Sequence, residues 1–316
     1  MKIMVSGAGA VLGQAIIKSI KASKLKASII AVDPSPLAAG LYWVDQHYIV
    51  PMANDAEYIT KIYEILDIER PDIIMIGTDI ELTVFARAGE KIEREYGTKV
   101  LVSPENVIEI ADDKWLTYKF LKENHLEYPE SRLPGEEQAL IEKVGFPLIV
   151  KPRVGARSVG VTKVNDHKEL YAALEIVNNP IIQECVGTDD EEYTAGVVVF
   201  DNAAKSSIVM KRDLRDGNTS RACAEPYTEI NDYLEKVAVK LGVYGPVNFQ
   251  FRISGDKVKI FEINARFSGT THFRTLSNVN EVEMCADYLL NHKEIRQPEI
   301  KPIQILRYYE ETVIPK

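Results

Sequence analysis

Oxygen-bearing side chains cluster on two neighbouring strand-like segments, VNFQFRI and VKIFEIN, in the C-terminal third of the chain. The short segment SGDK that joins them is typical of a β-hairpin turn. Pairing Gln250 with Glu262 makes one face of this hairpin apolar and leaves Asn264 beside them on the polar face. Amide and carboxylate oxygens are the ligands that Mg²⁺ takes beside substrate phosphates. The pattern predicts a magnesium site of Gln250, Glu262 and Asn264, with a solvated sheet face as the alternative.

The same pairing restricts the turn between the two strands. In a regular hairpin, a two-residue turn at Gly255–Asp256 would move the Glu262 carboxylate among aromatic side chains. We therefore expect an odd connection of three or five residues, with Phe251 opposite Phe261.

A lysine followed by a glycine-rich loop stands earlier in the chain, in GFPLIVKPRVGARSVGV. Lys151 ends an apolar strand, and the loop contains Gly155, Ser158 and Gly160. A fixed lysine holds nucleotide phosphates as a point charge, and flexible glycines let backbone N–H groups approach the same phosphates. These residues predict a phosphate clamp. The alternative is an ordinary lysine at a strand end beside an exposed turn.

Positive charge is concentrated in MKRDLRDGNTSRACAE, although the chain as a whole is acidic. We expect one or two of these cations, with Lys211 and Arg215 as candidates, to bind a transferred phosphate or the carboxylate being activated. Strand alternation places Lys211 and Arg212 on opposite faces, so they cannot both bind the same phosphate or carboxylate. Arg274, in FSGTTHFR, is a further candidate carboxylate anchor. The alternative for the basic segment is a solvated charged loop.

A second glycine-rich segment, GAGAVLG at Gly7–Gly13, follows the first predicted strand and opens a helix. Asp33 ends the next strand, where a dinucleotide site would place its ribose carboxylate. Glycines also serve a tight strand-to-helix turn and close helix packing without any ligand. We favour this structural interpretation, and keep an NAD-dependent oxidoreductase as an alternative function.

Two kinds of sheet must position these residues. The first hundred residues alternate short apolar runs with amphipathic stretches in a βαβαβαβ order, which is typical of a parallel sheet covered by helices on both faces. A helix signal, ADDKWLTYKFLKENHL, leads to a small α+β lobe at residues 136–185, and most of the remaining chain is predicted as strands. The fold class is α/β.

Composition excludes several classes of protein. The 316 residues carry 38 basic and 47 acidic side chains, and the net charge of −9 argues against nucleic acid as a partner. Three cysteines without C-x-x-C spacing suggest neither a disulfide framework nor a zinc site, so we expect a cytoplasmic protein. The chain shows no signal peptide pattern and no apolar stretch long enough to span a membrane.

Five motifs in this order resemble the ATP-grasp superfamily, in particular single-domain relatives of the carbamoyl phosphate synthase large subunit and stand-alone amino-acid ligases. The motifs are Asp113-Lys114, Lys151 with its loop, IIQECVG at 181–187, Glu192-Tyr193 and FEINAR at 261–266. The resemblance covers nearly the whole chain. It implies a Rossmann-like pre-ATP-grasp domain at 1–110, a small ATP-grasp lobe at 111–185 and a large lobe with the metal-binding sheet at 186–316.

The resemblance also implies roles for individual residues. Lys114 and Lys151 would contact phosphates, Glu192 would hold the ribose, and Arg266 would face the transferred phosphate or acyl phosphate. Gln183, Glu184, Cys185 and Val186 would lie at the adenine.

The implied activity is that of an ADP-forming carboxylate–amine ligase. It would use ATP with Mg²⁺, or Mn²⁺ as an alternative metal, to activate a small carboxylate as an acyl phosphate for attack by an amine. A homodimer is an open expectation, and a non-catalytic nucleotide-binding regulator is a further alternative.

Overall fold

A five-stranded parallel sheet occupies the N-terminal third of the computed structural model, which describes residues 1–188 and 191–314. Its strands are β1 (Lys2–Val5), β2 (Ser28–Asp33), β3 (Gln46–Ile49), β4 (Ile73–Met75) and β5 (Lys99–Leu101). They lie in the order β3-β2-β1-β4-β5. The crossover helices are α1 (Val11–Lys21), α2 (Tyr58–Glu69) and α3 (Asp79–Tyr96), and a 3₁₀ helix covers Ala39–Trp43.

Both faces of this sheet are buried, which explains why its strands are apolar throughout. Side chains of β1 alternate between two cores: Ile3 and Val5 pack with Ile16 of α1, whereas Met4 packs with Ile62 of α2. The predicted parallel sheet with helices on both faces is confirmed.

A smaller four-stranded sheet follows two linking helices, α4 (Glu105–Asp112) and α5 (Lys114–Glu123). Its strands are β6 (Ser131–Arg132), β7 (Leu148–Pro152), β8 (Thr162–Val164) and β9 (Pro180–Glu184), in the order β6-β9-β7-β8. The helices α6 (Glu137–Val144) and α7 (His167–Ile176) pack on it around a separate apolar core that includes Leu140 and Leu170. The glycine-rich loop connects β7 to β8.

A six-stranded antiparallel sheet completes the fold, in the order β14-β13-β10-β11-β12-β15. Its strands are β10 (Glu192–Phe200), β11 (Ala203–Arg215), β12 (Asn218–Ala224), β13 (Gly245–Ser254), β14 (Lys257–Asn264) and β15 (Ile303–Leu306). The accompanying helices are α8 (Thr228–Leu241), α9 (Thr271–Leu276) and α10 (Glu281–Asn291).

The β13–β14 hairpin pairs Gln250 with Glu262, as predicted, but the predicted turn is wrong. Ser254 pairs with Lys257, so the turn has only two residues. A β-bulge at Phe261 inserts one extra residue and restores the register beyond it. Phe251 therefore lies opposite Ile260 and not opposite Phe261. The bulge supplies the extra residue that was expected in the turn.

Candidate active site

A cavity of about 360 Å³ lies between the four-stranded sheet and the six-stranded sheet. Most of the residues predicted to bind nucleotide line it together: Lys114, Lys151, Gly155, Ser158, Gln183, Glu184, Cys185, Val186 and Glu192. Gln250 and Glu262 of the predicted metal set also line it. Gly160 does not line it, and a Cβ added there would lie 3.1 Å from Pro152 Cγ.

Two lysines enter this cavity from different elements. Lys151, at the end of β7, is buried, and its Nζ donates to Gln183 Oε1 at 2.7 Å. Lys114 begins α5, which Asp113 caps by accepting from the Trp115 N–H, and its Nζ donates to the Gly155 carbonyl at 3.0 Å. Burial, together with the positive charge of Lys114, lowers the pKa of Lys151 to about 7. An anion in the cavity would therefore stabilise a charge that the protein alone stabilises poorly.

The glycine-rich loop is held close to the β11–β12 hairpin. At Gly217, whose φ is +71°, an added Cβ would lie only 2.1 Å from the Arg157 carbonyl oxygen. Only a glycine permits this approach of two backbones. The loop that follows β7 is thus placed over the cavity by a contact with the opposite sheet.

Acidic residues at the other end of the cavity are held by basic partners. The Glu184 carboxylate accepts from Lys259 Nζ at 2.5 Å and from the Glu130 N–H at 2.9 Å. Glu192 accepts from Arg212 at 2.7 Å and from Arg252 at 3.1 Å. These contacts fix both carboxylates, and Cys185 and Val186, which follow Glu184, line the cavity as well.

Sequence reasoning did not select Arg212, although it lies at the centre of this arrangement. Its guanidinium is buried and also donates to Gln250 Oε1 at 2.6 Å. Its Nε has no hydrogen-bond partner among residues 1–188 and 191–314. A buried donor without an acceptor beside a cavity fits a site that receives an oxygen-rich anion.

The three predicted metal ligands lie together around one carboxylate. Glu262 Oε1 accepts from the amides of Gln250 at 3.0 Å and of Asn264 at 3.2 Å, while Asn264 Oδ1 accepts from Arg266 at 3.0 Å. Within the described residues, no group of three or more His, Cys, Asp or Glu could hold a metal. One carboxylate with two amide groups fits a hard cation that takes its other ligands from phosphates and water.

A second cavity of about 530 Å³ adjoins the first. The two share a wall formed by Lys114, Gly155, Ala156, Arg157, Arg212, Gly217, Gln250 and Glu262. Beyond this wall, the second cavity is lined by Asn264, Arg266 and the first residues of α1 and α3. Arg266 is held by Asp79, the first residue of α3, with Nε–Oδ1 at 2.7 Å, so helices and loops of the N-terminal region contribute directly to this cavity.

The other three predicted catalytic residues do not line either cavity. Lys211 lies on the opposite face of β11 from Arg212, and Arg215 is exposed near the hairpin turn. Arg274 is fully buried, where it pairs with Glu281 at 3.0 Å and donates to Asn248 at 2.5 Å. On β11 it is Arg212 that lines both cavities, and Arg274 is an internal ion-pair partner, while the catalytic roles of Lys211, Arg215 and Arg274 stay predictions.

The carboxylate of Asp33 is already hydrogen-bonded to backbone groups, including one in the N-terminal glycine loop. The Asp33 carboxylate accepts from the backbone N–H groups of Gly9 at 2.7 Å and Ser35 at 2.9 Å. A Cβ at Gly9 would lie 2.8 Å from that of Ala38, so the 3₁₀ segment closes over the loop. The geometry supports the structural interpretation of these glycines, because the carboxylate that would hold a ribose is already bonded.

Family models match two parts of the chain. The ATP-grasp domain matches residues 111–270, half of the chain, and the PylC-like N-terminal domain matches residues 3–101. The chain belongs to the ATP-grasp family. No helix within the described residues is long and apolar enough to cross a membrane.

Curated relatives include carbamoyl phosphate synthase large chains. That of Thermus thermophilus is 26% identical over 304 residues, covering 86% of this chain and 28% of the relative. That of Archaeoglobus fulgidus is 25% identical over 346 residues, covering 99% of this chain and 31% of the relative. The chain therefore spans less than a third of the length of these relatives.

Solved structures share the fold over most of the chain. N5-carboxyaminoimidazole synthetase from Staphylococcus aureus, complexed with ADP, is similar with a TM-score of 0.75 and 15% identity, covering 95% of this chain and 79% of that one. L-amino acid ligase from Bacillus licheniformis is similar with a TM-score of 0.69 and 18% identity, covering 92% of this chain and 74% of that one.

Proposed function

We propose that this protein is an ADP-forming ligase that uses ATP to activate a small carboxylate as an acyl phosphate for attack by an amine. The observation that carries the proposal is the shared wall of the two cavities. Lys114, Arg212, Gln250 and Glu262 line both, so a nucleotide in one cavity can place its terminal phosphate beside a substrate in the other.

The first cavity is the proposed ATP site. Lys114 and Lys151 bind the phosphates as point charges, and the loop at Gly155–Ser158 covers them with backbone N–H groups. The chain from Gln183 to Val186 lies at the adenine, and Glu192 lies at the ribose. The Staphylococcus aureus protein of similar fold was solved with ADP, which supports an adenine nucleotide as the ligand.

Gln250, Glu262 and Asn264 are the proposed holders of Mg²⁺, or of Mn²⁺ in its place. The metal would supply charge neutralisation at the transferred phosphate. Arg212 donates to the amide oxygen of Gln250, and Arg266 donates to that of Asn264. These oxygens must be released before they can bind a metal. We expect the two guanidiniums to bind phosphate oxygens instead when nucleotide is present.

The proposed reaction has two steps. A carboxylate oxygen attacks the terminal phosphorus of ATP, the bond from that phosphorus to ADP breaks, and an acyl phosphate forms. The amine nitrogen then attacks the acyl carbon, inorganic phosphate leaves, and the nitrogen loses a proton. Arg212 and Arg266 stabilise the negative charge on the transferred phosphate in both steps.

Phosphate release tests this proposal. The full chain with Mg-ATP is incubated with paired mixtures of small carboxylates and amines, including amino acids. We expect ADP and phosphate to form only when both cosubstrates are present, because the acyl phosphate must be consumed. Phosphate release that is equal with and without the cosubstrates would contradict a ligase.

The cellular setting is a separate part of the proposal. Cys185, Cys223 and Cys285 are free thiols, which fits a reducing compartment, and we propose a cytoplasmic location. The homodimer stays a prediction.

A further inference from the structure

Arg307 lies in the second cavity, on the side away from the proposed nucleotide site. It follows β15, and its backbone N–H donates to the Ser220 carbonyl at 2.8 Å on the neighbouring strand β12. Its side chain lines the second cavity and not the first. Sequence reasoning did not select this residue, since its segment carries no recognisable motif.

The guanidinium of Arg307 is held in place by uncharged groups. It lies over the ring of Phe273, with Cζ 4.9 Å from the ring centroid, and its Nη2 donates to the Gly269 carbonyl at 2.5 Å. Burial lowers the pKa of Arg307, and no acidic group of the described residues acts against that effect. A partly buried guanidinium fixed in one orientation by an aromatic ring is well suited to bidentate recognition of a carboxylate.

The other arginines that the six-stranded sheet contributes to this cavity have acidic partners. Arg266 pairs with Asp79 at 2.7 Å, and Arg212 pairs with Glu192 at 2.7 Å. Lys18 adds a second positive charge close by: after burial, the charges of Lys18 and Arg307 lower the pKa of His272. An anionic group at Arg307 would therefore gain a partner that the protein does not supply.

We propose that Arg307 anchors a second carboxylate of the substrates, one that the reaction does not consume. The proposal rests on the proposed ligase function. The reacting carboxylate must meet the terminal phosphate at the shared wall, whereas Arg307 lines only the second cavity, so a group at Arg307 belongs to a part of the substrate that lies away from that wall. Two sources share this chemistry: an amino acid that serves as the amine, and a dicarboxylic acid that is activated at its other end.

Matched substrates with and without the spare carboxylate distinguish these sources. L-alanine is compared with ethylamine as the amine, in ligation assays with a mixture of carboxylates. Succinate is compared with butyrate as the acid, in ligation assays with a mixture of amines. We expect the carboxylate-bearing member of one pair to be the better substrate. Arg307→Ala should raise its KM by roughly ten- to a hundredfold, as for a lost charge-assisted hydrogen bond, and leave the ATP affinity unchanged. The carboxylate-free member should not respond to the substitution.

Two further variants keep the test decisive. Arg307→Lys retains the charge without the planar fork, so its KM should lie between those of wild type and Arg307→Ala. Arg296→Ala removes an exposed arginine elsewhere and should match wild type. An unchanged KM in Arg307→Ala, or equal losses for both members of each pair, would overturn the proposal.

A binding measurement separates this inference from the ligase proposal. With Mg-ADP present, succinate and L-alanine are tested for their effect on the thermal unfolding of wild type and Arg307→Ala. Stabilisation of wild type that Arg307→Ala loses supports the anchor even if ligation is never observed. If neither compound stabilises wild type, or if both proteins are stabilised equally, the anchor is rejected whatever the ligase assay shows.

Discussion

At the scale of single residues, the candidate site contains buried cationic side chains, and most of them have an ion-pair or hydrogen-bond partner. Lys151 is a buried example, and its close acceptor, the amide oxygen of Gln183, carries no charge. Its pKa of about 7 lies below the ordinary lysine value of 10.5. Between these two values the unfolded chain binds more protons than the folded protein, so the Lys151 contribution makes stability rise with pH across that window.

Nucleotide binding should reverse this shift and take up protons. At about pH 8, Lys151 is mostly neutral in the empty cleft, and the phosphates raise its pKa again. Calorimetry of ATP binding in two buffers of different ionisation heat measures the uptake. We expect net proton uptake in wild type and in the exposed control Lys236→Met, and a large loss of it in Lys151→Met. Equal uptake in all three proteins would contradict the assignment of Lys151 to the phosphates.

Glu262 should be essential for metal-dependent turnover. It is the one carboxylate in the proposed set of three ligands, and Glu262→Gln removes its charge with little change of volume. We expect turnover to fall by more than about 100-fold, which exceeds the usual effect of losing a residue that only supports a ligand. Initial rates are measured over a range of Mg²⁺ concentrations, with the exposed Glu229→Gln as control. A Glu262→Gln rate within about threefold of the wild-type rate would exclude Glu262 as a metal ligand.

Sequence reasoning identified most of the residues that line the cleft, but its candidate on β11 was Lys211, whereas Arg212 lines both cavities. It recognised that Lys211 and Arg212 point to opposite faces. It could not tell which face meets the cleft, because both faces of β11 are buried: Val209 packs in one core, and Met210 in another. Apolar alternation identifies a buried face only where the other face is solvated. The buried ion pair of Arg274 was not predicted, because its partner Glu281 lies on the following helix.

At the scale of elements, hairpins set the geometry of the site. The two-residue turn with a bulge at Phe261 could not be predicted from the hydrophobic pattern, since an odd turn and an even turn with a bulge give the same faces. The bulge brings the Phe261 carbonyl to 3.5 Å from Lys151 Nζ. The division at residues 110 and 185 stays a prediction.

Two hairpin glycines offer a matched test of the loop contact. Gly217 and Gly255 both have positive φ, at +71° and +65°, but a Cβ would meet the Arg157 carbonyl at Gly217 and nothing within 4 Å at Gly255. Alanine at either position should cost about 1 kcal/mol of stability through backbone strain. Only Gly217→Ala should also raise the KM for ATP, because the glycine-rich loop cannot reach its place. Denaturant unfolding and steady-state kinetics measure the two effects.

Equal kinetics for the two alanine variants would show that the loop contact does not contribute to nucleotide binding. A raised KM in Gly255→Ala would instead indicate that the β13–β14 turn affects the site through the metal set.

At the scale of the whole molecule, the second cavity is built from the six-stranded sheet and from the loops and helix starts that follow strands of the N-terminal sheet. The Asp79–Arg266 pair joins them, and its side chains are 37% and 12% exposed. Burial opposes the ionisation of Asp79, but Arg266 holds the pKa of Asp79 below its usual value. The pair therefore stabilises the protein at neutral pH, and this contribution is lost as pH falls through the lowered pKa.

Asp79→Asn should destabilise the protein in a pH-dependent way. We expect a loss of about 1–2 kcal/mol near pH 7, which is less than for a fully buried pair because Asp79 is partly exposed, and a smaller loss near pH 3. Urea unfolding at both pH values measures this difference. Asp67→Asn, in an exposed pair with Arg70, should change stability by less than about 0.5 kcal/mol. An equal loss at both pH values would show that the charge of Asp79 is not responsible.

Transfer of oxygen from substrate to phosphate tests the central claim most directly. The full chain is incubated with Mg-ATP, an amine and a carboxylate labelled with oxygen-18 in both carboxyl oxygens. An acyl phosphate passes one carboxyl oxygen to the phosphate group, so the account predicts inorganic phosphate that carries a single labelled oxygen and appears together with ADP and the ligated product. Ligated product accompanied by unlabelled phosphate, or by label in AMP, would contradict it.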